Sequence, residues 1–141
     1  MRKIIAALTM TAALLASLIS ASPAQAALKG GACIAGGVTV EFQVTYTTTN
    51  DAGGTRVGIS KVLVIVKGGS SMDSRVTVAT TTATLYDIGP LVTSKRDASG
   101  RLFMDYYPNT STYTTSRPRV IARGGVNNDG YAMCSRTIYV P

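Results

Sequence analysis

Residues 38–46 read Val-Thr-Val-Glu-Phe-Gln-Val-Thr-Tyr, and this stretch decides the fold class. Apolar and polar residues alternate along it, so the Val, Phe and Tyr side chains share one face and the Thr, Glu and Gln side chains share the other. This pattern is typical of a β-strand that is buried on one face. Residues 50–54 follow with Asn, Asp and two glycines, which predict a chain reversal.

Similar patterns recur along the rest of the chain. Residues 62–66 are apolar at every position, which predicts a central strand covered on both faces. Further strands are predicted at residues 59–66, 76–86, 91–96, 102–107, 120–122 and 131–140. Because residues 80–82 are polar on both faces, part of the strand at 76–86 is expected to be an exposed edge.

The spacing of these segments predicts an all-β chain. About seven or eight short strands, separated by Gly, Asn and Asp turns such as 97–100 and 127–130, favour a single-domain immunoglobulin-like β-sandwich over a small barrel. The chain has no Trp, so the core Trp of a true immunoglobulin domain is absent. The prediction therefore concerns the architecture only.

The first 26 residues have the three parts of an export signal. They are a basic start at positions 2 and 3, an apolar centre at 4–19 and a small-residue cleavage site at 24–26. The apolar centre is too short and wrongly flanked for a transmembrane helix. We therefore predict a secreted protein without a membrane span, in which cleavage near Ala27 leaves one domain over residues 27–141.

The two cysteines lie near opposite ends of the predicted mature chain. Because an exported chain meets an oxidising environment, Cys33 and Cys134 are predicted to form a disulfide between the first and last strands. Such a bond closes a loop of about 100 residues, worth on the order of 4–5 kcal/mol in the chain-entropy model. No CxxC spacing and no histidine point to a redox or nucleophilic role. Lipid attachment at Cys33 is disfavoured, because the cysteine lies well past the apolar segment.

The chain contains no histidine, which removes the usual general base and metal ligand near neutral pH. Zinc sites built on His or on several thiolates are excluded as well. A carboxylate pair remains a possible route to hydrolysis, but most carboxylates lie in predicted turns, where Asp commonly hydrogen-bonds the backbone. We predict no catalytic residue, no metal site and no cofactor.

The net charge is +7, or about +5 without the signal. The charges are scattered, and no basic helix or Lys/Arg run is present, so a nucleic-acid partner is not expected. Residues 106–119 form the longest segment without strand patterning and combine tyrosines, hydroxyl residues and arginines, as binding surfaces often do. A solvated loop is the alternative. The predicted contact residues in and beside this segment are Tyr107, Tyr113, Arg117, Arg119 and Arg123.

These features favour a secreted binding or adaptor domain that is not an enzyme. We expect an accessory subunit of an extracellular assembly, such as a toxin or adhesive complex, whose partner is another secreted or surface protein. Partner strands are expected to add to an exposed edge. A carbohydrate or an anionic cell-wall polymer is the second class of partner. A protease inhibitor that presents residues 107–119 and a small carboxylate-dependent hydrolase are the remaining alternatives.

Overall fold

The computed structural model describes residues 24–126 and 132–141 and places most of them in strands. The strands are β1 (Gln25–Ala35), β2 (Val38–Asp51), β3 (Gly54–Val66), β4 (Met72–Ala79), β5 (Thr84–Thr93), β6 (Leu102–Tyr106), β7 (Thr110–Tyr113), β8 (Arg119–Val126) and β9 (Ala132–Tyr139). A 3-10 turn, Thr114–Ser116, lies between β7 and β8. The all-β prediction is confirmed, and the described part of the chain has nine strands where about seven or eight were expected.

The strands form two antiparallel sheets. Sheet 1 has the order β1-β2-β3-β6, and β7 pairs with β3 beyond the end of β6. Sheet 2 has the order β5-β4-β8-β9. One side of the molecule therefore carries the edge strands β1 and β9, which contact each other, and the other side carries β5 and β6.

The core lies between the two sheets and is rich in valine. From sheet 1 it receives the alternate residues of β2 and β3, which include Val40, Phe42 and Val64. From sheet 2 it receives the alternate residues of β4 and β8, which include Val76 and Val120. These side chains are fully buried, and each contributes roughly 1.5–3 kcal/mol through burial.

The apolar run at 62–66 lies in a central strand, as predicted, but its outer face is only partly covered, because Leu63 on that face is half-buried. Val62, Val64 and Val66 point into the core, while Ile65 points to the outer face of sheet 1. Ile65 is nevertheless only 2% exposed. Its neighbours across the sheet are Glu41 on β2 and Phe103 on β6.

A buried hydrogen-bonded pair joins the sheets near the β5 and β6 side. The Tyr106 hydroxyl of β6 lies 2.7 Å from the Ser74 Oγ of β4 and donates to the Ser74 carbonyl oxygen at 2.8 Å. Burial raises the pKa of Tyr106 above its usual value, because the phenolate form loses its hydration. The neutral hydroxyl therefore satisfies polar groups that would otherwise be buried without partners.

A disulfide joins the sheets on the opposite side. Cys33 on β1 and Cys134 on β9 are bonded, with their Cα atoms 5.9 Å apart, and the predicted pairing is confirmed. The bond closes a loop with a sequence separation of 101. Because β1 belongs to sheet 1 and β9 to sheet 2, it ties the two layers together covalently at their edges.

The prediction of one continuous strand over residues 76–86 is wrong, because these residues form the end of β4, a turn and the start of β5. Thr80 forms the turn between them: its N–H donates to the Ala83 carbonyl oxygen at 2.8 Å, and its Oγ1 accepts from the Ala83 N–H at 3.0 Å. Threonine favours strands, yet here its hydroxyl accepts a hydrogen bond from the main chain of the turn, which competes with continued strand pairing. The predicted edge is therefore found further along the chain, in β5.

The segment at 106–119 also differs from the expectation. It contains β7 and the 3-10 turn, and β7 pairs with residues 56–59 of β3. Its Thr and Ser residues lack apolar alternation, which is why the pattern did not indicate a strand. The predicted turn at 127–130 lies outside the described residues.

Most of the predicted export signal, residues 1–23, lies outside the described residues. Strand β1 begins at Gln25, and Gln25 and Ala26 pair with Thr48 and Thr47. Cleavage before Ala27 would remove these two pairs and leave the rest of β1 in place. Within the described ranges, no helix is long and apolar enough to cross a membrane.

Candidate binding surfaces

The structure distributes the five predicted contact residues over both sheets. Tyr107 and Tyr113 lie on the outer face of sheet 1, beside Lys61 and Arg56 of β3. Arg119 and Arg123 lie on the outer face of sheet 2, along β8. Arg117 is exposed between the 3-10 turn and β8, with a left-handed backbone (φ 51°). The five residues therefore do not form one continuous loop surface.

Tyr113 is held by the turn between β2 and β3. The Arg56 guanidinium lies 4.5 Å from the centre of the Tyr113 ring, and its Nη2 donates to the Tyr113 hydroxyl at 3.2 Å. Arg56 also pairs with Asp51 at 2.9 Å. A Cβ on Gly53 would lie 2.6 Å from the Tyr113 hydroxyl, so the turn approaches the ring closely. Because Arg56 and the turn at Gly53 both contact its side chain, Tyr113 attaches β7 to β3 and to the β2–β3 turn.

The electrostatics of this turn favour the ionised carboxylate. The Gly53 N–H donates to Asp51 at 2.7 Å and lowers the pKa of Asp51 most, and Arg56 lowers it further. The pKa of Arg56 is raised, mainly by its hydrogen bond to the Tyr113 hydroxyl and next by its hydrogen bond to Asp51. The cluster is therefore an internally satisfied polar contact.

Tyr107 differs from Tyr113 because it is 58% exposed. The Lys61 ammonium lies 5.8 Å from the centre of its ring and pairs with Asp105 at 3.0 Å. Asp105 raises the pKa of Lys61, since it stabilises the charged form. Both cations of β3 on this face, Arg56 and Lys61, therefore have a carboxylate partner.

The arginines on sheet 2 have a different environment. Arg75 on β4 binds Asp87 on β5 through two contacts of 3.0 and 2.6 Å. These bonds lower the pKa of Asp87, and Thr77 contributes a further hydrogen bond. Arg123 lies directly opposite Arg75 across the β4–β8 pair. In the described part of the chain, neither Arg119 nor Arg123 forms an ion pair with a carboxylate, so this face carries positive charge available to a partner.

Strand β5 is an edge strand that carries four exposed apolar side chains. Asp87 shares the outer face with Thr77, whereas Ile88 lies opposite the core residue Val76 and so faces inward. Val92 lies opposite Asp73, on the outer side, and is 61% exposed. Apolar side chains therefore project on both faces of β5. Those exposed are Leu85, Ile88, Leu91 and Val92.

The carboxylates of the described residues are mostly engaged in ion pairs. Five of them pair with a Lys or Arg within 3.0 Å: Glu41, Asp51, Asp87, Asp97 and Asp105. Asp73 is buried on β4. Over residues 24–126 and 132–141, no group of three or more Cys, Asp or Glu side chains is arranged to hold a metal ion.

Comparison of the chain with protein-family models, with curated proteins and with solved structures found no match. The sequence drew attention to Arg119 and Arg123 but not to β5, because residues 84–93 were divided between strands predicted at 76–86 and 91–96, with Ile88 in neither. An available signal was Pro90, which within a run of strand residues indicates an edge.

Proposed function

We propose that this protein is a secreted, non-catalytic binding domain that acts as an accessory subunit in an extracellular protein assembly. Its contact surface is formed by β5 and by two arginines on the outer face of β8, which is separated from β5 by β4, and is here called the β5–arginine surface. The observation that carries the proposal is the exposure of four large apolar side chains on one edge strand. This surface consists of Leu85, Ile88, Leu91, Val92, Arg119 and Arg123.

The proposed mode of binding uses side chains rather than an added strand. Pro90 lies in the middle of β5 and has no N–H to donate. The β4–β5 register also shifts twice, between Ser74 and Val76 and between Val78 and Ala79. Proline and bulges are devices that protect sheet edges from pairing, so a continuous partner strand is disfavoured at β5. The apolar side chains remain available to a complementary patch.

Charge complementarity indicates the chemistry of the partner. Asp87 is the only acidic residue of β5, and Arg75 neutralises it. On the same sheet, Arg119 and Arg123 have no ion-pair partner among the described residues. A protein that presents an apolar centre with acidic residues beside it would match both features, since interfaces combine an apolar core with Arg contacts at its rim.

We also propose that the two sheets form an immunoglobulin-like sandwich. Two packed antiparallel sheets built from about 115 residues support an immunoglobulin-like sandwich. In this arrangement the edge strands β1, β5, β6, β7 and β9 are the natural places for contacts with other chains.

The test is capture of the partner from culture supernatant of the source cells by the mature protein and by matched variants. Val92→Lys and the double change Arg119→Glu with Arg123→Glu should each reduce recovery of one specific protein by about fivefold or more, as expected for hot-spot residues. Tyr107→Ala, on the outer face of sheet 1, is the control and should leave recovery unchanged. Equal recovery by all variants, or loss only with Tyr107→Ala, would refute the proposed surface.

The same experiment separates the alternative partners. Arg119 and Arg123 also suit an anionic cell-wall polymer, which would be captured without a protein and would be insensitive to Val92→Lys. The inhibitor alternative receives less support, since β7 and the 3-10 turn take up much of the segment that would have to enter a protease. Recovery of a protease that is lost with Arg117→Ala would favour it.

A further inference from the structure

The edge of β1 differs from that of β5 in being regular. β1 pairs with β2 over eleven consecutive residues, from Gln25 to Ala35, without a register shift. It contains no proline, and its only charged residue is Lys29. Its other side has no strand partner among the described residues. A long, regular and weakly charged edge is the kind that accepts another strand.

Two large apolar residues project from β1 on the outer face of sheet 1. Leu28 and Ile34 are each 71% exposed. They lie three residues before and three residues after Gly31. If two copies of β1 run antiparallel with the two-fold axis at Gly31, Leu28 of each copy faces Ile34 of the other. Directly opposite residues in an antiparallel pair point to the same face, so both exposed side chains gain an apolar neighbour, twice per dimer.

We propose that this chain forms a two-fold dimer through antiparallel pairing of β1 with β1 of a second copy. In this register residues 27–35 of one copy pair with residues 35–27 of the other, and all of them belong to the predicted mature chain. The two copies of sheet 1 become one continuous sheet. The contact is isologous, since the same residues contribute from both sides.

The charges near the axis give the dimer a characteristic salt dependence. Lys29 lies opposite the inward-facing Val44, and Arg136 of β9 packs beside Gly31, where a Cβ would lie 3.0 Å from its Cγ. Dimerisation therefore gathers four cations around the axis, and the described residues of β1 and β9 include no acidic residue to offset them. Because salt screens this repulsion, the dimer should tighten as ionic strength rises. By contrast, binding of an acidic partner at the β5–arginine surface should weaken as ionic strength rises, because salt screens the attraction.

The dimer would hold two β5–arginine surfaces on opposite sides. In each copy β1 and β5 occupy different sides of the sandwich, so the proposed dimer leaves β5 free. A partner with two binding sites, or an assembly with repeated subunits, would then bind with increased avidity. The dimer itself does not depend on the identity of that partner.

The test is sedimentation equilibrium of the purified mature protein alone, over a concentration series at low and high salt. The wild type should show a reversible monomer–dimer equilibrium that shifts toward dimer with salt. Ile34→Lys should raise the dimer dissociation constant by about tenfold or more, because it removes two apolar cross-strand pairs. Combining Leu28→Glu with Ile34→Lys should restore dimerisation, since the two new side chains face each other with opposite charge.

Val92→Lys is the matched control, since it places the same charge on an exposed apolar position of the other edge, 61% exposed against 71% for Ile34, and it should not affect the dimer. Thermal melting confirms that each variant is folded. A wild type that stays monomeric at all concentrations, or a double variant that does not recover, would refute β1 pairing about Gly31. These measurements contain no partner, so their outcome is independent of the capture experiment.

Discussion

The two sides of the sandwich are closed in different ways. On the β1 and β9 side a disulfide joins the sheets, and the edge strand β1 is regular, with Leu28 and Ile34 exposed on its outer face. On the β5 and β6 side a buried Tyr106–Ser74 contact joins the sheets, and the edge strand β5 is interrupted by Pro90 and carries exposed apolar residues. Under the two proposals above, β1 would be recognised through its main chain together with Leu28 and Ile34, whereas the interrupted edge of β5 would be recognised through side chains alone. One small fold can in this way present two chemically distinct contact surfaces.

The largest effect is expected on the covalent side. Cys134→Ser should lower the free energy of unfolding by roughly 2–5 kcal/mol, the usual loss for a native disulfide of a small secreted domain. Denaturant titration measures the loss. Hydrogen exchange should then show weaker protection in β1 and β9 but retained protection at 62–66 of β3, because the core contacts remain. An unchanged denaturation midpoint would mean that the bond does not stabilise the fold.

A smaller effect is expected on the non-covalent side. Tyr106→Phe removes a hydroxyl that satisfies Ser74, which is fully buried, so it should cost roughly 1–3 kcal/mol of unfolding free energy. Hydrogen exchange should increase in β5 and β6 and not in β1. Tyr139→Phe makes the same change at an exposed position and should be nearly neutral. If Tyr106→Phe and Tyr139→Phe have the same unfolding free energy, the Tyr106–Ser74 contact does not stabilise the β5 and β6 side.

Tyr113→Ala tests whether the polar cluster on sheet 1 serves the fold or a partner. It removes the stacking and hydrogen-bond contacts with Arg56, so it should lower the free energy of unfolding by about 1 kcal/mol. Partner capture should be unchanged. Tyr107→Ala, which removes an exposed ring, should change neither quantity. A stable Tyr113→Ala variant that loses the partner would place the interface on sheet 1.

Acid should loosen the β5 side through small electrostatic effects. The pKa of Asp87 is lowered mainly by Arg75, and that of Asp97, on the connection from β5 to β6, is lowered mainly by the Arg101 N–H. Because each folded-state pKa lies below the ordinary 3.8, their stabilising contribution is present above that pH and is lost as pH falls through the folded value. Hydrogen exchange of β5 at falling pH should show this loss, and Asp87→Asn should reduce the dependence.

Alternation was sufficient to predict the all-β class, and the uniformly apolar run at 62–66 indicated a central strand. The terminal disulfide followed instead from the positions of the two cysteines and the predicted export. Alternation failed where local hydrogen bonding decided the structure, as at Thr80, whose hydroxyl ends a strand that its β-propensity would continue. It also failed for β7, whose pairing with β3 rests on main-chain bonds and the Tyr113 contacts rather than on an apolar face. For the candidate site, composition drew attention to Arg119 and Arg123. The exposure of β5 depends on sheet order, which a single sequence does not contain.

The most direct test of the β5–arginine surface is an NMR titration of the mature protein with the captured partner. Chemical shift changes and line broadening should concentrate on β5 and on the outward-facing positions 119 and 123 of β8. The amides near Tyr107 and Tyr113 on sheet 1 should remain unperturbed. Perturbation centred on those tyrosines, with β5 unaffected, would contradict the proposed function.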